Sequence, residues 1–283
     1  MHVVVGATGT VGRTAVRLLL DAGQEVAAVT RNPAAEIPDG ARTVVADPSR
    51  PATLADALHG AETVLLSPRA VGDAAAELLS LAGGFGARHV VVLSAATVDH
   101  PVGDPRFIRH FDAVEAAARE SSLSYTYLRC ADFAANSAAW APQIRSGDVV
   151  RGAYAKASTS PIHERDIAEI AVEALLKDAH SGRAYVLTGP ESLDQHDKVR
   201  IIGETLGREL SFVELPAEAV RSAMLAQGLP DEIPDRLLGS LADYAQHPGP
   251  TTDTVERLLG RPARSFRSWA EENTHLFSAD GPS

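Results

Sequence analysis

The first twelve residues of the chain constrain its fold more than any other stretch. Val3–Val5 is a short run of β-branched residues, which is typical of a buried parallel strand. Gly6, Gly9 and Gly12 follow in the pattern G-x-x-G-x-x-G, and Arg13–Leu20 has the apolar periodicity of a helix. In such a strand–turn–helix unit, glycines permit a tight turn, the close approach of a pyrophosphate and close packing of helix on strand. The pattern therefore predicts a dinucleotide site at this turn, with a ligand-free glycine turn as the alternative.

Composition limits the kinds of protein that this chain can be. Its 283 residues can form one large domain or a domain and a half, and 45% hydrophobic with 22% charged residues is usual for a soluble globular protein. A net charge of −11 without a basic stripe argues against nucleic-acid binding. The single cysteine, Cys130, excludes internal disulfides and a cysteine-rich metal site. The N-terminus runs straight into the first predicted strand, so we expect no signal peptide. The sequence has no apolar run of membrane-spanning length, and we expect a cytoplasmic protein without a membrane segment or a metal.

Short apolar strands alternate with helices through the first half of the chain. Further strands are predicted at Glu25–Val29, Thr43–Ala46, Thr63–Leu66, His89–Leu93 and Tyr125–Arg129, and helices at Pro51–Leu58, Asp73–Leu81 and Phe107–Ser121. This alternation predicts the α/β class, with a doubly wound parallel sheet that forms a dinucleotide-binding domain over residues 1–150. Ligands of such sheets bind outside the carboxyl ends of the strands.

The residues after the second strand predict which dinucleotide binds. In folds that prefer NAD, this strand ends in an acidic residue that accepts from the ribose hydroxyls. Here Thr30 and Arg31 follow instead, and an arginine suits the extra phosphate of NADP. Arg13, directly after the third glycine, is a possible second contact. A solvated surface arginine is the alternative for each, and the sequence favours NADPH over NADH.

The region 151–283 is predicted to be mainly helical and to bind the substrate. Helices are expected at Ile167–Leu176, Val199–Leu206, Ala217–Ala226, Arg236–Tyr244, Val255–Leu259 and Ser265–Asn273, and one more strand near 185–188 interleaves with the first domain. Asp166 with Glu169 fits a capping box, so Asp166 is predicted to be structural. We expect this region to pack against the first domain and to leave a crevice for a small molecule.

Several stretches of the sequence together resemble one protein family. They are GATGTVGR, TRNP, LLSP, VVVLSA, SYTYLRCADFAAN, SPIHERDIAEIA and YVLTGPE. In this order they resemble the NmrA-like branch of the atypical short-chain dehydrogenases/reductases, over nearly the whole chain. The resemblance implies a Rossmann fold that binds NADP(H). Some members reduce quinones, azo dyes or other small conjugated or carbonyl compounds, whereas others, including NmrA itself, are redox-sensing regulators with no known turnover.

The resemblance also implies which residues bind ligands. For the cofactor it implies Arg31 and the glycine loop, with Gly6, Thr8, Gly9, Thr10, Val11 and Gly12. It further implies Asp47 near the adenine, Ser67 and Pro68 near the ribose, and Ser94 and Ala95 near the nicotinamide. For the substrate it implies Phe133 and Asn136. His163 precedes a helix and is predicted to face the same crevice.

One departure from the family of ordinary dehydrogenases bears on catalysis. Those enzymes carry Tyr-x-x-x-Lys on the helix after the fifth strand, but the positions aligned through Glu115 hold Phe107 and Phe111 here. Reduction by hydride needs little more than orientation, exclusion of water and one proton donor when the acceptor is already polarised. His110 is the candidate donor, with a surface histidine as the alternative. Ser94 is predicted to hydrogen-bond a substrate oxygen, or only to position the cofactor.

Two functions remain open from the sequence. The first is an NADPH-dependent reductase of a small quinone-like, conjugated or carbonyl substrate, which the helical region and its crevice favour. The second is a non-catalytic NADP(H) sensor that acts through a protein partner, which the two phenylalanines favour. An isomerase or other non-redox enzyme on the same fold is a third option. We expect the reductase, as a monomer or homodimer.

Overall fold

A computed structural model describes residues 1–278 of the chain. Its strands are β1 (His2–Val5), β2 (Val26–Thr30), β3 (Arg42–Val45), β4 (Thr63–Leu66), β5 (His89–Ala95), β6 (Ser124–Cys130), β7 (Val149–Gly152), β8 (Arg183–Leu187) and β9 (Ser211–Glu214). Seven of them form one parallel sheet in the order β3-β2-β1-β4-β5-β6-β8, and β7 pairs with β9 in a separate parallel sheet. The doubly wound α/β class predicted from the sequence is confirmed.

Helices connect the strands and fill most of the last third of the described chain. They are α1 (Thr10–Asp21), α2 (Ala55–Leu58), α3 (Pro68–Val71), α4 (Ala75–Gly84), α5 (Pro105–Glu120), α6 (Ala141–Ser146), α7 (Glu164–Leu176), α8 (Gln195–Leu206), α9 (Ala217–Ala226), α10 (Glu232–Gln246), α11 (Thr254–Leu259) and α12 (Phe266–Glu272). Short 3-10 segments lie at Pro51–Leu54, Gly72–Ala74, Ala96–Val98, Ala134–Trp140, Asp178–His180 and Thr274–Leu276.

The chain separates into two compact units that exchange segments. The sheet unit comprises Met1–Val98, Ile108–Cys130 and Glu164–Leu187. The helical unit comprises Asp99–Phe107, Ala131–His163 and the described residues from Thr188 onward. Each unit therefore consists of three separate stretches of sequence.

The central strands of the sheet unit are buried on both faces. All four residues of β1 and of β4 are buried, because the branched and aliphatic side chains of both faces meet helices. One face carries Val3, Val90 and Val92, which share a core with Leu78 of α4 and Val114 of α5. On the other face, α7 packs against α1 and against the central strands. This leaves the strand ends as the places where polar side chains can gather.

A row of alternating imidazoles and hydroxyls lies at the amino end of the sheet. His2, Thr63, His89 and Ser124 open β1, β4, β5 and β6, and they are aligned in register. His2 Nδ1 lies 2.8 Å from Thr63 Oγ1, and His89 Nδ1 lies 2.6 Å from Ser124 Oγ. Burial is the largest effect on both imidazoles and lowers the pKa of each below its usual value. A cavity of about 390 Å³ borders this row, at the edge opposite to the glycine turn.

The helical unit has its own hydrophobic core. Phe266, Trp269 and Phe277 are each 1% exposed and pack with apolar residues of α8 and with Phe212 of β9. The side chain of Ser265 accepts a hydrogen bond from the Ser268 N–H and so caps α12. Aromatic burial on this scale holds together a unit whose only described strands are two of four residues each.

Several predicted elements differ from the structure. The capping box at Asp166 is wrong, because α7 begins at Glu164 and Asp166 lies in its first turn, where it is completely buried. The helix predicted at Asp73–Leu81 starts instead at Ala75 and runs to Gly84, after a break at Gly72 with φ of 57°. β5 continues through Ser94 and Ala95, so that both lie inside the strand. The small sheet of β7 and β9 was not predicted.

Candidate functional site

The glycine turn has the backbone that its spacing predicted. Gly6 has φ of 96°, a conformation that side chains strongly disfavour, and a Cβ atom there would lie 2.8 Å from Ser67 Cβ. A Cβ atom at Gly12 would collide with the carbonyl oxygen of Gly6, so α1 can approach β1 this closely only because position 12 is glycine. Gly6 and Gly12 thus fix the turn and the helix packing.

The first turn of α1 is open at the point where an anion would bind. Its N-cap residue is Gly9, which has no side chain to accept from the first N–H groups of the helix. Thr8, Gly9 and Thr10 are exposed, whereas Val11 is buried beneath the turn. A bare backbone with uncapped N–H groups at the start of a twelve-residue helix fits the pyrophosphate of a dinucleotide.

The end of β2 carries a cation instead of a carboxylate. Arg31 is exposed directly after β2, and Arg13 is exposed on α1. The Thr30 hydroxyl accepts from the Asn32 N–H at 3.1 Å, which shapes the turn that presents Arg31. After β3, the Asp47 carboxylate accepts from the Ser49 hydroxyl and the Ser49 N–H. These bonds hold the pKa of Asp47 below its usual value, with a smaller contribution from Arg31.

The ends of β4 and β5 supply the remaining predicted cofactor residues of the sheet unit. Ser67 donates its N–H to the carbonyl oxygen of Val5 at 3.1 Å, which holds it against the glycine turn. Pro68 is buried at the first position of α3. Ser94 and Ala95 close β5 and are 4% and 8% exposed. The glycine turn and Ser67 therefore follow β1 and β4, and Ser94 lies at the carboxyl end of β5; the three strands are neighbours in the sheet.

Ser94 belongs to a buried ionic cluster of the sheet unit. Its hydroxyl donates to Glu115 Oε1 at 2.5 Å, and Glu115 is 1% exposed on α5. Arg129 of β6 donates hydrogen bonds to both carboxylate oxygens of Glu115, from Nε to Oε1 at 3.0 Å and from Nη2 to Oε2 at 2.7 Å. The Tyr127 hydroxyl donates to the backbone oxygen of Glu115 at 2.7 Å. A carboxylate held in this way fixes the direction of the Ser94 hydroxyl.

The helical unit holds a second buried ion pair beside two predicted substrate residues. Asp132 accepts from Asn136 Nδ2 at 2.8 Å, from the Thr159 hydroxyl at 2.8 Å and from Lys198 Nζ at 3.0 Å. Burial opposes the ionisation of Asp132. The Lys198 ammonium and the three hydrogen bonds outweigh it and hold the pKa of Asp132 below its usual value. Because a carboxylate only accepts, Asn136 turns its amide nitrogen toward Asp132 and its oxygen away. Phe133, next to Asp132, is half-buried.

The two histidines predicted near the substrate have different surroundings. His110 is half-buried on α5, with its ring 5.5 Å from that of Phe111 in an edge-on arrangement. His163 is 3% exposed, and its Nε2 lies 3.3 Å from a carboxylate oxygen of Glu272. His110 is thus the more accessible of the two. Their roles stay predictions, as do those of Phe133 and Asn136.

Sequence reasoning missed the groups that orient the predicted site residues. Glu115 could have been noticed, because a glutamate between Phe111, Val114 and Ala118 on an apolar helix face needs a buried partner. Lys198 gave no such signal, since it stands 66 positions from Asp132 in a helix of mixed polarity. Neither residue belongs to a recognised motif.

The comparison with known proteins identifies the family. The sequence profile of a family described as NAD(P)H-binding matches residues 6–178. The chain belongs to this NAD(P)H-binding family.

Relatives extend this similarity over the full length. The (4-alkanoyl-5-oxo-2,5-dihydrofuran-3-yl)methyl phosphate reductase of Streptomyces griseus is 34% identical, over 99% of this chain and 100% of its own. The NAD(P)H azoreductase of Xenophilus azovorans is 32% identical over 99% and 100% of the two chains. Quinone oxidoreductase 2 of Escherichia coli is 26% identical over the same shares. The chain is accordingly an NAD(P)H-dependent oxidoreductase.

Solved structures share the fold. An NADPH-dependent quinone oxidoreductase from Escherichia coli superposes with a TM-score of 0.81 at 24% identity, covering 98% of this chain and 100% of that chain. The triphenylmethane reductase of Citrobacter gives 0.79 at 18% identity, covering 96% and 99%. With the family match, these likenesses confirm the resemblance to NmrA-like atypical short-chain dehydrogenases/reductases. Over residues 1–278, every helix is too short or too polar to cross a membrane.

Proposed function

We propose that this protein transfers hydride from NADPH to a small acceptor whose double bond is already polarised by conjugation. The names of the three relatives support this acceptor class. A quinone has an electron-poor ring, an azo compound has an N=N bond between substituents, and the named furanone has a C=C bond conjugated to carbonyl groups. Such acceptors take hydride without strong acid catalysis, which suits a chain with Phe107 and Phe111 at the Tyr-x-x-x-Lys positions.

The chain's own residues have separate tasks in this proposal. The nicotinamide of the bound cofactor supplies the hydride. The glycine turn binds the pyrophosphate, Arg31 the extra phosphate, and Asp47, Ser67, Pro68 and Ala95 line the rest of the cofactor. Phe133, Asn136 and His163 contact the substrate, and His110 gives the proton that completes the reduction.

The single observation that carries the choice of NADPH is the exposed Arg31 where a NAD-preferring chain would have a carboxylate. Exchange of Arg31 for Ala should weaken NADPH binding about 10- to 100-fold and leave NADH nearly unchanged, because a charge-assisted phosphate contact is lost. Arg17→Ala is the matched control, since Arg17 is an exposed arginine one turn along α1 from Arg13. Calorimetric titration measures both cofactors, and equal losses for NADPH and NADH would contradict the assignment.

Turnover separates the reductase from the second candidate, a non-catalytic NADP(H) sensor that acts through a protein partner. The phenylalanines at positions 107 and 111 favour the sensor, because they offer no proton. Purified protein should oxidise NADPH, followed by its absorbance, when quinones, azo dyes and conjugated lactones are added. A protein that binds both redox forms equally, oxidises NADPH with none of these acceptors and retains a partner in a pull-down would be the sensor.

We further propose that the protein works in the cytoplasm on a freely diffusing substrate, as a monomer or homodimer. The net charge of −11 and the single, buried Cys130 support this setting.

A further inference from the structure

The Ser94 hydroxyl has only one proton, and it donates that proton to Glu115. Its partner Glu115 Oε1 is a carboxylate oxygen, which can accept but cannot donate. The Ser94 oxygen therefore keeps its lone pairs and has no proton left for a ligand. Toward anything outside the cluster, Ser94 can act only as a hydrogen-bond acceptor.

The surrounding residues keep Ser94 as the donor and Glu115 as the acceptor of this hydrogen bond. Arg129 donates to both oxygens of Glu115, and the planar match of guanidinium and carboxylate keeps Glu115 as the acceptor. Glu115 is 1% exposed, so water does not compete for its oxygens. The Tyr127 hydroxyl ties the backbone of α5 to β6 at the same residue.

The position of Ser94 relates it to one half of the cofactor. In a doubly wound sheet the dinucleotide lies across the carboxyl ends of the strands, with one mononucleotide over each half of the strand order. The glycine turn, Arg31 and Asp47 follow β1, β2 and β3, so the adenine half belongs there. Ser94 is the penultimate residue of β5, in the other half of the strand order, which is left for the nicotinamide. The substituent of the nicotinamide ring is a carboxamide, and its NH2 group is a donor.

We propose that Glu115 and Arg129 are positioning residues that fix the Ser94 hydroxyl as an acceptor, and that Ser94 accepts a hydrogen bond from the carboxamide NH2 of the nicotinamide. This inference rests on the proposed cofactor, and of the two roles predicted for Ser94 from the sequence it selects the positioning of the cofactor. Ser94 does not donate to a substrate oxygen; it holds the carboxamide and thereby sets which face of the nicotinamide ring is presented for hydride transfer.

A cofactor analogue tests the contact without any turnover. In 3-acetylpyridine adenine dinucleotide phosphate, a methyl ketone replaces the carboxamide, so the ligand keeps a carbonyl acceptor but has no N–H to donate. The wild-type protein should bind reduced NADP more tightly than the reduced analogue by about fivefold, the value of one neutral hydrogen bond. In Ser94→Ala this ratio should fall to near one.

The role of Glu115 is tested by removing its carboxylate. Glu115 Oε1 accepts from both Ser94 and Arg129, so an apolar side chain at position 115 leaves the Ser94 hydroxyl free to rotate and donate outward. Glu115→Leu combined with Arg129→Met removes the ionic pair as a whole, and the ratio should again fall toward one.

Two controls distinguish this inference from a structural defect and from failure of the proposed function. Ser124→Ala removes a hydroxyl from the opposite end of the same sheet and should leave the ratio unchanged. Adenosine 2′,5′-bisphosphate lacks the nicotinamide half, and its affinity should be equal in all variants. An unchanged ratio in Ser94→Ala, or in Glu115→Leu combined with Arg129→Met, overturns the inference while NADPH binding persists. Loss of NADPH and bisphosphate binding in the wild-type protein would instead refute the proposed function.

Discussion

The buried ion pair between Lys198 and Asp132 gives the most detailed prediction of stability. The Lys198 side chain is 4% exposed, and its ammonium donates to Asp132 Oδ2 and to the Thr159 hydroxyl at 3.0 and 2.7 Å. Lys198→Met keeps most of the apolar stem of the side chain, is one atom shorter and removes the charge. The variant therefore leaves the Asp132 carboxylate in place without its cation.

The expected cost follows from what Asp132 retains. Breaking a buried pair by removing one partner costs about 3–5 kcal/mol of the free energy of unfolding. Asp132 still accepts from Asn136 and Thr159, and its side chain is 25% exposed, so solvent compensates in part. We therefore expect the lower end, about 3 kcal/mol at pH 7.

Urea unfolding followed by tryptophan fluorescence measures this loss of stability. The signal reports on the helical unit, because Trp140 and Trp269, like Lys198 and Asp132, lie there. The pH dependence supplies an independent check. In the wild type the pKa of Asp132 is lowered, so its contribution to stability is present above the unfolded value and is lost as pH falls through the folded value. Without Lys198, burial favours the protonated carboxyl, so the deficit should shrink as pH falls from 7 toward 4.5.

Two variants make the reasoning refutable. Asp132→Asn combined with Lys198→Met removes both charges and should recover most of the loss. Lys177→Met breaks the exposed pair with Glu173 and should change stability by less than about 0.5 kcal/mol. A loss below about 1 kcal/mol in Lys198→Met, or a double variant that is no more stable, would contradict the account.

Two further predictions concern the sheet unit. Burial lowers the pKa of His2 and His89, so their contribution to stability is complete above the unfolded value of 6.5 and is lost as pH falls toward the folded values. His89→Gln should therefore reduce the dependence of the free energy of unfolding on pH between pH 6.5 and 5, measured by chemical unfolding. The same pH dependence in wild type and variant would show that His89 does not contribute. Gly12→Ala should lower the free energy of unfolding in urea by about 1–3 kcal/mol and weaken NADPH binding in calorimetry, because the new Cβ meets the Gly6 oxygen. In the control Gly84→Ala the new Cβ faces open space, so the variant should be neutral or more stable. Equal effects of the two substitutions would refute the packing role of Gly12.

Elements with a local signal were predicted closely. β4 was predicted at Thr63–Leu66 and α9 at Ala217–Ala226, with the observed bounds, because an apolar run and punctuating residues mark each within the sequence itself. Gly207 ends α8 with φ of 65°, as a glycine after an amphipathic helix indicates. The glycine turn was likewise predictable, since its backbone geometry requires glycine at fixed positions.

What could not be predicted depends on partners that are distant in sequence. β7 and β9 have four residues each and pair across about sixty intervening positions, so neither four-residue stretch identifies its partner. The same holds for the cluster at Ser94. The position of Ser94 at a strand end predicts a place near the ligand, but its hydrogen-bonding direction is set by Glu115 and Arg129 on other elements.

The exchange of segments between the two units bears on how the polypeptide matures during synthesis. The chain leaves the sheet unit after Cys130 and returns at Glu164, and the last strand of the sheet pairs with β6 only once Arg183–Leu187 has emerged from the ribosome. Until then the β6 edge exposes unpaired N–H and C=O groups, and α1 lacks the helix that covers it. A nascent chain of this architecture therefore carries an unpaired strand edge for more than fifty residues of elongation.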